Sequence, residues 1–386
     1  MANPAPKEAL PVSPEPRLLC LKCGSSHSHK EPLWRCPCGG LLEVEMEARF
    51  PWEAISRRPP SLWRYREALP IESDPPVTLG EGMTPLIPWK LLGREVLLKL
   101  DYLFPTGSFK DRGASVLITK VKELGIGEVL GDSSGNAGAA IAAYSARAGV
   151  RCRMYVPQGT SPEKVAQITA YGASVIEIPG GRQKTAEAAL KAAGSTFFAS
   201  HYWNPYFFEG TKTFAFEAFE QLGGRLPDAF VVPAGNGTLL LGLWKGVREL
   251  LRAGAIERVP RVFALQAEAC APLVRAFEEG EEEVREVPAG DTLAEGIKVP
   301  LPVRGSQMLG ALRESKGGAL SVAEEEILPA LRALASEGLF VEPTSAIAVA
   351  GARLLLERGL IGEGEDVLIP LTGHGLKASA KLKTLL

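Results

Sequence analysis

The sequence lacks the long apolar segments that would place it in a membrane or mark it for export. None of its apolar runs reaches the roughly 20 residues that a membrane-spanning helix needs. The proline-rich first 17 residues have no apolar core of the secretion-signal type, and they predict a flexible tail. The formal net charge of −2 does not favour nucleic acid or an anionic membrane as a partner. We therefore expect a cytoplasmic protein that binds neither.

The glycine-rich turns also lack the spacing of nucleotide-binding loops. The turn PAGNGT, at residues 233–238, is not followed by the Gly-Lys-Ser/Thr of a P-loop. The stretch GNGTLLLG, at residues 235–242, does not have the spacing of the dinucleotide fingerprint, and no acidic residue closes the next predicted strand. These turns therefore predict an anion site of another kind.

Cysteine is scarce, yet four of the six cysteines lie in one short segment, CLKCGSSHSHKEPLWRCPCGG. They form a Cys-x-x-Cys pair and a Cys-x-Cys pair: Cys20, Cys23, Cys36 and Cys38. Two close pairs followed by glycine are typical of four thiolates around a tetrahedral zinc ion. A redox pair is the alternative, but it needs no second pair, and His27 or His29 could replace one thiolate. We expect a structural zinc knuckle over residues 18–45 that stabilises the fold and carries no chemistry itself.

From about Glu95 onward, predicted strands alternate with predicted helices. The stretch EVLLKLDYL, at residues 95–103, has β-forming residues, and FKDRGASVLITKVKELG, at residues 109–125, has helical spacing and ends at glycine. Helices of about 10–15 residues between strands predict parallel sheets with helices on both faces. The sequence thus predicts an α/β fold with open, twisted parallel sheets.

Several turns that follow predicted strands carry small and polar residues. SSGNAG (Ser133–Gly138) and PAGNGT precede helices, and PLTGHGLK (Pro370–Lys377) lies near the chain end. Ligands of open α/β sheets bind at the carboxyl ends of the strands, and a glycine-rich helix start favours an anion. We expect PAGNGT to bind a phosphate and SSGNAG a second anion. The stretch FPTGSFKDRGAS (104–115) places Lys110 at the start of a predicted helix. Lys110 could belong to the site formed by these turns, and the alternative is that it lies in a solvated first helical turn.

Seven motifs, in this order along the chain, resemble those of the pyridoxal-phosphate enzymes of the tryptophan-synthase-β type and, within them, the threonine synthases. The motifs are LGEGMTPLI, PTGSFKDRG, SSGNAG, NPYFFEGTKT, PAGNGT, FVEPTSA and LTGHGLK. The resemblance covers nearly the whole chain and implies two α/β domains around one cleft, a homodimer, and a knuckle similar to that of many threonine-synthase-like chains. The implied domains are a tail at 1–17, the knuckle at 18–45, a large cofactor-binding domain at 46–105 and 210–386, and a small domain at 106–209.

The resemblance implies pyridoxal 5′-phosphate as the cofactor. Lys110 would form the Schiff base with it and then shuttle protons, because a partly desolvated amine is a nucleophile near neutral pH. Thr372 would hydrogen-bond the pyridine nitrogen, and Asn136 the ring hydroxyl. The implied ligands of the cofactor phosphate are Gly235, Asn236, Gly237 and Thr238. We expect Asp111 to cap or orient its helix.

The small amino-acid substrate would place its carboxylate at Ser133 and Ser134, by the same resemblance. In the loop HYWNPYFFEG (201–210), Tyr202 and Phe207 replace a serine and an arginine of many family members, and Ala137 replaces a threonine. Arginine pairs bidentately with phosphate, so its loss is not neutral. The expected compensating substrate-binding residues are Arg112 and Lys212, although Arg112 could instead pair with Asp111.

Two enzymatic functions therefore stay open. The first is a threonine synthase, a lyase that converts O-phospho-L-homoserine and water to L-threonine and phosphate. The second is a threonine or serine dehydratase, or a β-replacement enzyme, that acts on a substrate without phosphate. A non-catalytic paralogue or zinc-ribbon binding module would be expected to lack a lysine at position 110, and Lys110 is present.

Overall fold

The computed structural model describes residues 15–383 and residue 385. Of the tail predicted at residues 1–17, the first 14 residues lie outside this range, and Arg17 already begins the first strand. The strands, in chain order, are β1 (Arg17–Cys20), β2 (Ser26–Ser28), β3 (Leu42–Glu45), β4 (Leu86–Leu91), β5 (Arg94–Lys99), β6 (Glu128–Gly131), β7 (Arg151–Pro157), β8 (Ser174–Ile178), β9 (Phe197–Phe198), β10 (Ala229–Pro233), β11 (Arg261–Ala267), β12 (Gly318–Val322) and β13 (Val367–Pro370).

Helices connect most of these strands. They are α1 (Trp52–Ser56), α2 (Lys110–Glu123), α3 (Asn136–Ala148), α4 (Pro162–Ala170), α5 (Gly181–Ala192), α6 (Pro205–Thr211), α7 (Thr213–Gln221), α8 (Thr238–Arg252), α9 (Pro272–Glu278), α10 (Gly305–Glu314), α11 (Glu324–Ser336), α12 (Pro343–Glu357) and α13 (Ser379–Leu382). Short 3-10 turns lie at 62–68, 101–103, 268–270, 295–297 and 375–378. Within the described residues, no helix is long and apolar enough to span a membrane.

The largest sheet has six strands in the order β12-β11-β10-β13-β5-β4, and all pairs are parallel except β4 with β5. Alternate residues of the buried strand β10 point to opposite faces. Val231 packs in the core on the side of α12, whereas Phe230 and Val232 pack in the core on the side of α8. The sheet therefore has helices on both faces, which confirms the predicted α/β class.

A second sheet has four parallel strands in the order β8-β7-β6-β9, all between residues 128 and 198. These strands lie inside the range predicted for the small domain, and the six-stranded sheet takes its strands from the two ranges predicted for the large one. The carboxyl end of β6 leads into the start of α3, which positions the SSGNAG turn.

The N-terminal segment forms a small antiparallel sheet in the order β2-β1-β3. We call residues 17–45 the cysteine module. It is not separate from the body of the protein, because its residues Leu18 and Leu42 share one apolar core with Phe198 of the four-stranded sheet. The ring of Trp34 packs edge-on against Phe198, with a centroid distance of 5.2 Å.

Candidate active site

The side chain of Lys110 lies beside the turn between β10 and α8. Lys110 is the first residue of α2, and its Nζ donates a hydrogen bond to Thr238 Oγ1 at 2.7 Å. The amine lies 4.4 Å from the centre of the Phe109 ring and has no ion pair among the described residues. The structure thus brings together two residues that the motifs predicted at one site, Lys110 of PTGSFKDRG and Thr238 of PAGNGT.

The environment of Lys110 favours its neutral amine. Burial lowers the pKa of Lys110 to about 7; the carboxylate of Glu342 opposes this shift and the charge of Arg182 adds to it. An ordinary lysine has a pKa near 10.4, so it is almost fully protonated at neutral pH. A pKa of about 7 leaves a substantial neutral fraction, which can act as a nucleophile or accept a proton.

The turn between β10 and α8 fits a phosphate group. Gly237 has a φ of +75°, and a Cβ there would lie 2.2 Å from Met308 Sδ. A Cβ at Gly235 would lie 3.0 Å from the Cα of Ile297. Only glycine fits positions 235 and 237 of this turn without strain. The turn leads directly into α8, whose first backbone N–H groups have no partner within the helix, and helix starts of this kind bind anions.

Asn136, the first residue of α3, connects the small sheet with α12. Its Nδ2 donates to both carboxylate oxygens of Glu342, at 3.0 and 3.2 Å. Burial raises the pKa of Glu342, whereas the hydrogen bond from Asn136 and the charges of Lys377 and Lys110 lower it. Glu342 is therefore a residue of this site, and it fixes the orientation of the Asn136 amide. Ser133 and Ser134 are half-buried in the turn just before α3.

Thr372 is held by Ser345, a residue that the motif reasoning did not single out. Ser345 Oγ accepts hydrogen bonds from the backbone N–H groups of Thr372 and Gly373, at 2.9 and 3.0 Å. Both of its lone pairs are then used, so its proton is donated, and its nearest acceptor is Thr372 Oγ1 at 3.1 Å. The proton of Thr372 is consequently left for another acceptor. This suits a ring nitrogen without a proton.

Polar atoms near the site lack partners although they are buried. Ser108 Oγ, two residues before Lys110, and His201 Nδ1 have no hydrogen bond among the described residues. His201 Nε2 lies 3.5 Å from Asn236 Nδ2, and burial keeps the pKa of His201 well below its usual value. Leaving such groups unpaired costs about 1–3 kcal/mol each, so their presence indicates a ligand. An amine, an anion-binding turn, an amide and a free hydroxyl donor together fit pyridoxal phosphate.

Arg112, which we expected to bind substrate, pairs with carboxylates of the protein interior in this structure. Its guanidinium is fully buried and pairs with Asp101, at 2.8 Å, and with Glu217, at 2.7 and 2.8 Å. The alternative partner, Asp111, accepts instead from the N–H and hydroxyl of Thr106. The Arg112 guanidinium lies in the protein interior, where the carboxylates of Asp101 and Glu217 neutralise its charge.

Lys212 is likewise not a substrate ligand in this structure. Its Nζ is fully buried and lies 2.5 Å from Glu209 and 2.9 Å from Glu249. Lys245 also pairs with Glu209, at 2.5 Å. The structure therefore gives no support to the expected compensation by Arg112 and Lys212 for the missing arginine, because both cations pair with buried carboxylates.

Two of the substituted loop positions have structural roles. Phe207 is fully buried against α2, where a Cβ at Gly113 would lie 2.2 Å from its ring. The hydroxyl of Tyr202 donates to Asp132, the residue before the SSGNAG turn. Ala137 is buried in the first turn of α3. No phosphate-binding group remains at these three positions.

Arg182, which the sequence motifs did not identify, supplies a cation near the site. It is exposed in the first turn of α5, just after the carboxyl end of β8, and it has no hydrogen bond or ion pair among the described residues. Burial is the main cause of the low pKa of His201, and the charges of Lys110 and Arg182 lower this pKa further. The first turn of α5 follows the carboxyl end of β8, which lies at the same sheet edge as the SSGNAG turn after β6. The sequence motifs could not show this position of Arg182, because it depends on α5 following β8, a strand of the same parallel sheet as β6.

The cysteine module brings its four thiols together. The sulfur atoms of Cys20, Cys23, Cys36 and Cys38 all lie within 4.8 Å of one another. Those of Cys20 and Cys38 are 3.5 Å apart, and those of Cys23 and Cys36 are 3.7 Å apart. A tetrahedral zinc site with Zn–S bonds of about 2.3 Å needs separations of about 3.8 Å. The arrangement therefore fits a metal better than a single redox pair.

Of the two histidines between the cysteine pairs, only His27 faces the thiols. Its Nε2 lies 3.4 Å from Cys36 Sγ. His29 is buried elsewhere, with Nδ1 3.0 Å from Lys120 Nζ. The four thiols thus remain the fitting ligand set, and His29 attaches the module to α2.

Comparisons with known proteins agree with the site. A family model described as "Pyridoxal-phosphate dependent enzyme" matches residues 77–373. The chain is 38% identical over 373 residues to the threonine synthase of Methanocaldococcus jannaschii, and the match covers 93% of this chain and 92% of the relative. It is 38% identical to the threonine synthase of Mycobacterium bovis, and that match covers 85% of this chain and 89% of the relative.

Solved structures show the same fold. A threonine deaminase from T.th. superposes with a TM-score of 0.63 and 31% sequence identity, covering 76% of this chain and 92% of that one. A fungal L-serine ammonia-lyase from Rhizomucor miehei has a TM-score of 0.69 at 21% identity, covers 78% of this chain and 97% of that one, and shows the fold alone.

Proposed function

This chain belongs to the pyridoxal-phosphate dependent enzyme family, and we propose that it is a threonine synthase, a lyase that forms L-threonine and phosphate from O-phospho-L-homoserine and water. The observation that carries this proposal is the 38% identity to a threonine synthase over more than nine-tenths of both chains. The site supports it, since its residues suit a bound pyridoxal phosphate and an amino-acid substrate.

We propose the cofactor ligands as follows. The turn at 235–237 and Thr238 would bind the phosphate, Asn136 the ring hydroxyl, Thr372 the ring nitrogen, and Lys110 the aldehyde carbon. The bound cofactor supplies an electron sink that makes the protons next to the substrate nitrogen acidic. Because Thr372 is a neutral donor, it would leave the ring nitrogen of the bound cofactor largely unprotonated, which would suit elimination and addition better than transamination.

The chain's own residues would move the protons. With a pKa of about 7, the Lys110 amine can both accept a proton from carbon and return one at neutral pH. The Thr238 hydroxyl, 2.7 Å from this amine, holds it at the phosphate side of the site. When it is ionised, Glu342, which accepts from Asn136, opposes the fall of the Lys110 pKa.

We propose that Arg182 binds the substrate phosphate in place of the arginine missing at Phe207. It has no partner among the described residues and lies near Lys110 and His201. The cations of Arg112 and Lys212, by contrast, are neutralised by buried carboxylates. Charge-assisted hydrogen bonds to phosphate are worth about 1.5–3 kcal/mol, or roughly 10–150-fold in affinity. The phosphate would therefore determine a large part of substrate binding.

The Arg182→Gln variant should raise KM for O-phosphohomoserine about 10-fold or more and leave the cofactor absorbance unchanged. The reason is the loss of one cation that only the phosphorylated substrate uses. Steady-state kinetics with phosphate release as the readout measures this effect. Lys191→Gln, an exposed position near the other end of α5, is the matched control. Equal KM values for the two variants would contradict the role of Arg182.

The substrate test for the function uses purified, cofactor-loaded protein. Threonine and phosphate formed together from O-phosphohomoserine support a threonine synthase. A 2-oxo acid and ammonia from threonine or serine, with the phosphorylated substrate inert, would overturn it in favour of a dehydratase. The specific observation that favours this second candidate is the apolar replacement at Phe207, together with the 31% identity to a threonine deaminase.

We propose that the four thiols of the cysteine module bind one structural zinc ion, on the basis of their separations and the turn behind them. A Cβ at Gly40 would lie 2.7 Å from Cys20 Sγ, so the chain closes tightly around the sulfurs. We expect about one zinc per chain by elemental analysis, and much less after Cys23→Ser. Cys270→Ser, at a buried cysteine outside the module, is the control. Protein with four accessible thiols and no metal would overturn this assignment.

We also propose a cytoplasmic homodimer, on the basis of the sequence and the family resemblance. Sedimentation analysis of the purified protein distinguishes a dimer from a monomer of 41.2 kDa.

A further inference from the structure

Arg304 is a buried cation without a counter-ion. It lies just before α10, with 2% of its side chain exposed, and it forms no ion pair among the described residues. Burial lowers its pKa to about 10, which the charge of Glu43 only partly opposes. Burying an unpaired charge is costly, so the protein must gain from the contacts of this guanidinium.

Within the described part of the chain, the guanidinium of Arg304 donates only to backbone carbonyls. Nε donates to Tyr202 O at 2.9 Å, and Nη2 donates to Leu42 O at 3.0 Å and to Trp203 O at 3.1 Å. Its face lies 4.5 Å from the centre of the Phe208 ring. Arg304 thus connects strand β3 of the cysteine module to the segment from His201 to Phe208.

Two further contacts join the same parts. The ring of Trp34, in the cysteine module, packs edge-on against Trp203 with a centroid distance of 5.9 Å. The hydroxyl of Tyr206 donates to the backbone carbonyl of His29 at 2.8 Å. Backbone, aromatic and hydroxyl contacts therefore all attach this segment to the module.

The other side of the segment reaches the active site. The hydroxyl of Tyr202 donates to Asp132, which precedes the SSGNAG turn, and His201 Nε2 lies 3.5 Å from Asn236 Nδ2 in the turn between β10 and α8. The backbone carbonyl of Tyr202 is held by Arg304 while its side chain touches the site. A shift of this backbone would move both His201 and Tyr202.

We propose that Arg304 is a positioning residue that fixes the segment from His201 to Phe208 against the cysteine module, so that the module determines how well the site binds its substrate. Three donors in one rigid fork satisfy three carbonyls, which a lysine ammonium on a flexible stem cannot reproduce with the same geometry. The KM readout rests on the proposed function, whereas the exchange readout below does not.

The test compares Arg304→Lys and Arg304→Gln with the control Arg313→Gln, an exposed arginine of the same helix α10. Hydrogen–deuterium exchange should become faster in peptides from residues 198–208 and stay unchanged in those from 128–157. KM should rise about 10-fold, as expected for a lost buried hydrogen-bond network, while kcat and the cofactor absorbance change less than about 3-fold.

A second variant probes the same link from the module side. Trp34→Leu removes the ring contacts with Phe198 and Trp203 without touching Arg304, and it should give the same local exchange pattern. Exchange in 198–208 equal to that of the Arg313→Gln control, or a uniform increase across the protein, would overturn the proposal. If the wild type does not use O-phosphohomoserine, the proposed function fails, and the exchange data still decide whether Arg304 positions the segment.

Discussion

Replacing Lys110 by alanine should abolish turnover, with a loss of about four orders of magnitude or more. The amine of Lys110 is the nucleophile that we propose for this site, where it donates a hydrogen bond to Thr238 and has a pKa of about 7. Its removal takes away both the proton carrier and the covalent attachment of the cofactor. Steady-state kinetics measures the loss of turnover, and the protein mass after borohydride reduction measures the loss of attachment.

Lys122→Ala is the matched control for this variant. Lys122 is an exposed lysine of the same helix α2, so it reports any effect of losing a charge from this helix. We expect it to retain wild-type activity and the mass increase of the attached cofactor. A Lys110→Ala protein that still gained this mass after reduction would show that another lysine carries the cofactor.

The pKa of Lys110 also predicts how cofactor attachment depends on pH. Only the neutral amine attacks the cofactor, and burial lowers the pKa of this amine to about 7. The rate of attachment to the cofactor-free protein should therefore rise as the pH passes through about 7 and level off above about pH 8. An exposed lysine would show this rise near pH 10.4. Stopped-flow absorbance gives the midpoint, and a midpoint above about pH 9 would contradict the buried environment.

The second large effect concerns stability. Glu217 is fully buried and accepts from Arg112 at 2.7 Å and from Lys99 at 2.9 Å. Glu217→Ala would leave two cations of the protein interior without this carboxylate. Breaking a buried ion pair by removing one partner costs about 3–5 kcal/mol. We expect a loss of this size in the free energy of unfolding, measured by urea denaturation at neutral pH.

The exposed carboxylate Glu53 provides the matched control. It pairs with Arg57 at 2.6 Å across one turn of α1, and 82% of its side chain is exposed. Such pairs contribute about 0.3–0.5 kcal/mol, so Glu53→Ala should change stability little. If both variants lose the same stability, the buried network around Arg112 contributes far less than its geometry indicates.

The carboxylate of Glu217 also predicts how the stability of the protein depends on pH. Burial alone raises the pKa of Glu217, but the charges of Arg112 and then Lys99 reverse this and lower it to about 2. A carboxylate whose folded pKa lies below its unfolded value of about 4.3 stabilises the protein above that value, and this contribution is lost as pH falls toward about 2. The slope of unfolding free energy between about pH 4.5 and about pH 2 should therefore be smaller in Glu217→Ala than in the wild type.

Several features could be predicted because they depend on residues close together in sequence. The stretch at 109–125 predicts a helix by its spacing, and the structure has one at Lys110–Glu123, with Gly125 at a φ of +68° just beyond it. The close pairs of cysteines predict thiols within reach of one ion, and the four sulfur atoms lie within 4.8 Å. The alternation of strands and helices predicts the parallel sheets in the same way.

Charge pairing could not be predicted, because it depends on contacts between distant parts of the chain. Arg112 and Asp111 are neighbours in sequence, but successive helical positions face different directions, and Arg112 points to Glu217 in α7. Lys212 meets Glu249 of α8 for the same reason. Both were expected at the substrate because a sequence shows that a cation is present and does not show whether a carboxylate already neutralises it.

The sequence by itself determined the α/β class, the family resemblance, and the glycine turn and lysine that fit the cofactor, since these depend on local periodicity and on short motifs with fixed spacing. Only the tertiary structure decided which cations remain free for a ligand. It placed Arg182 near Lys110 and left it unpaired among the described residues, and it connected Arg304 to the cysteine module. The physical reason is that burial and neighbouring charges set what an ionised side chain can do, and both arise from the packing of segments far apart in the chain.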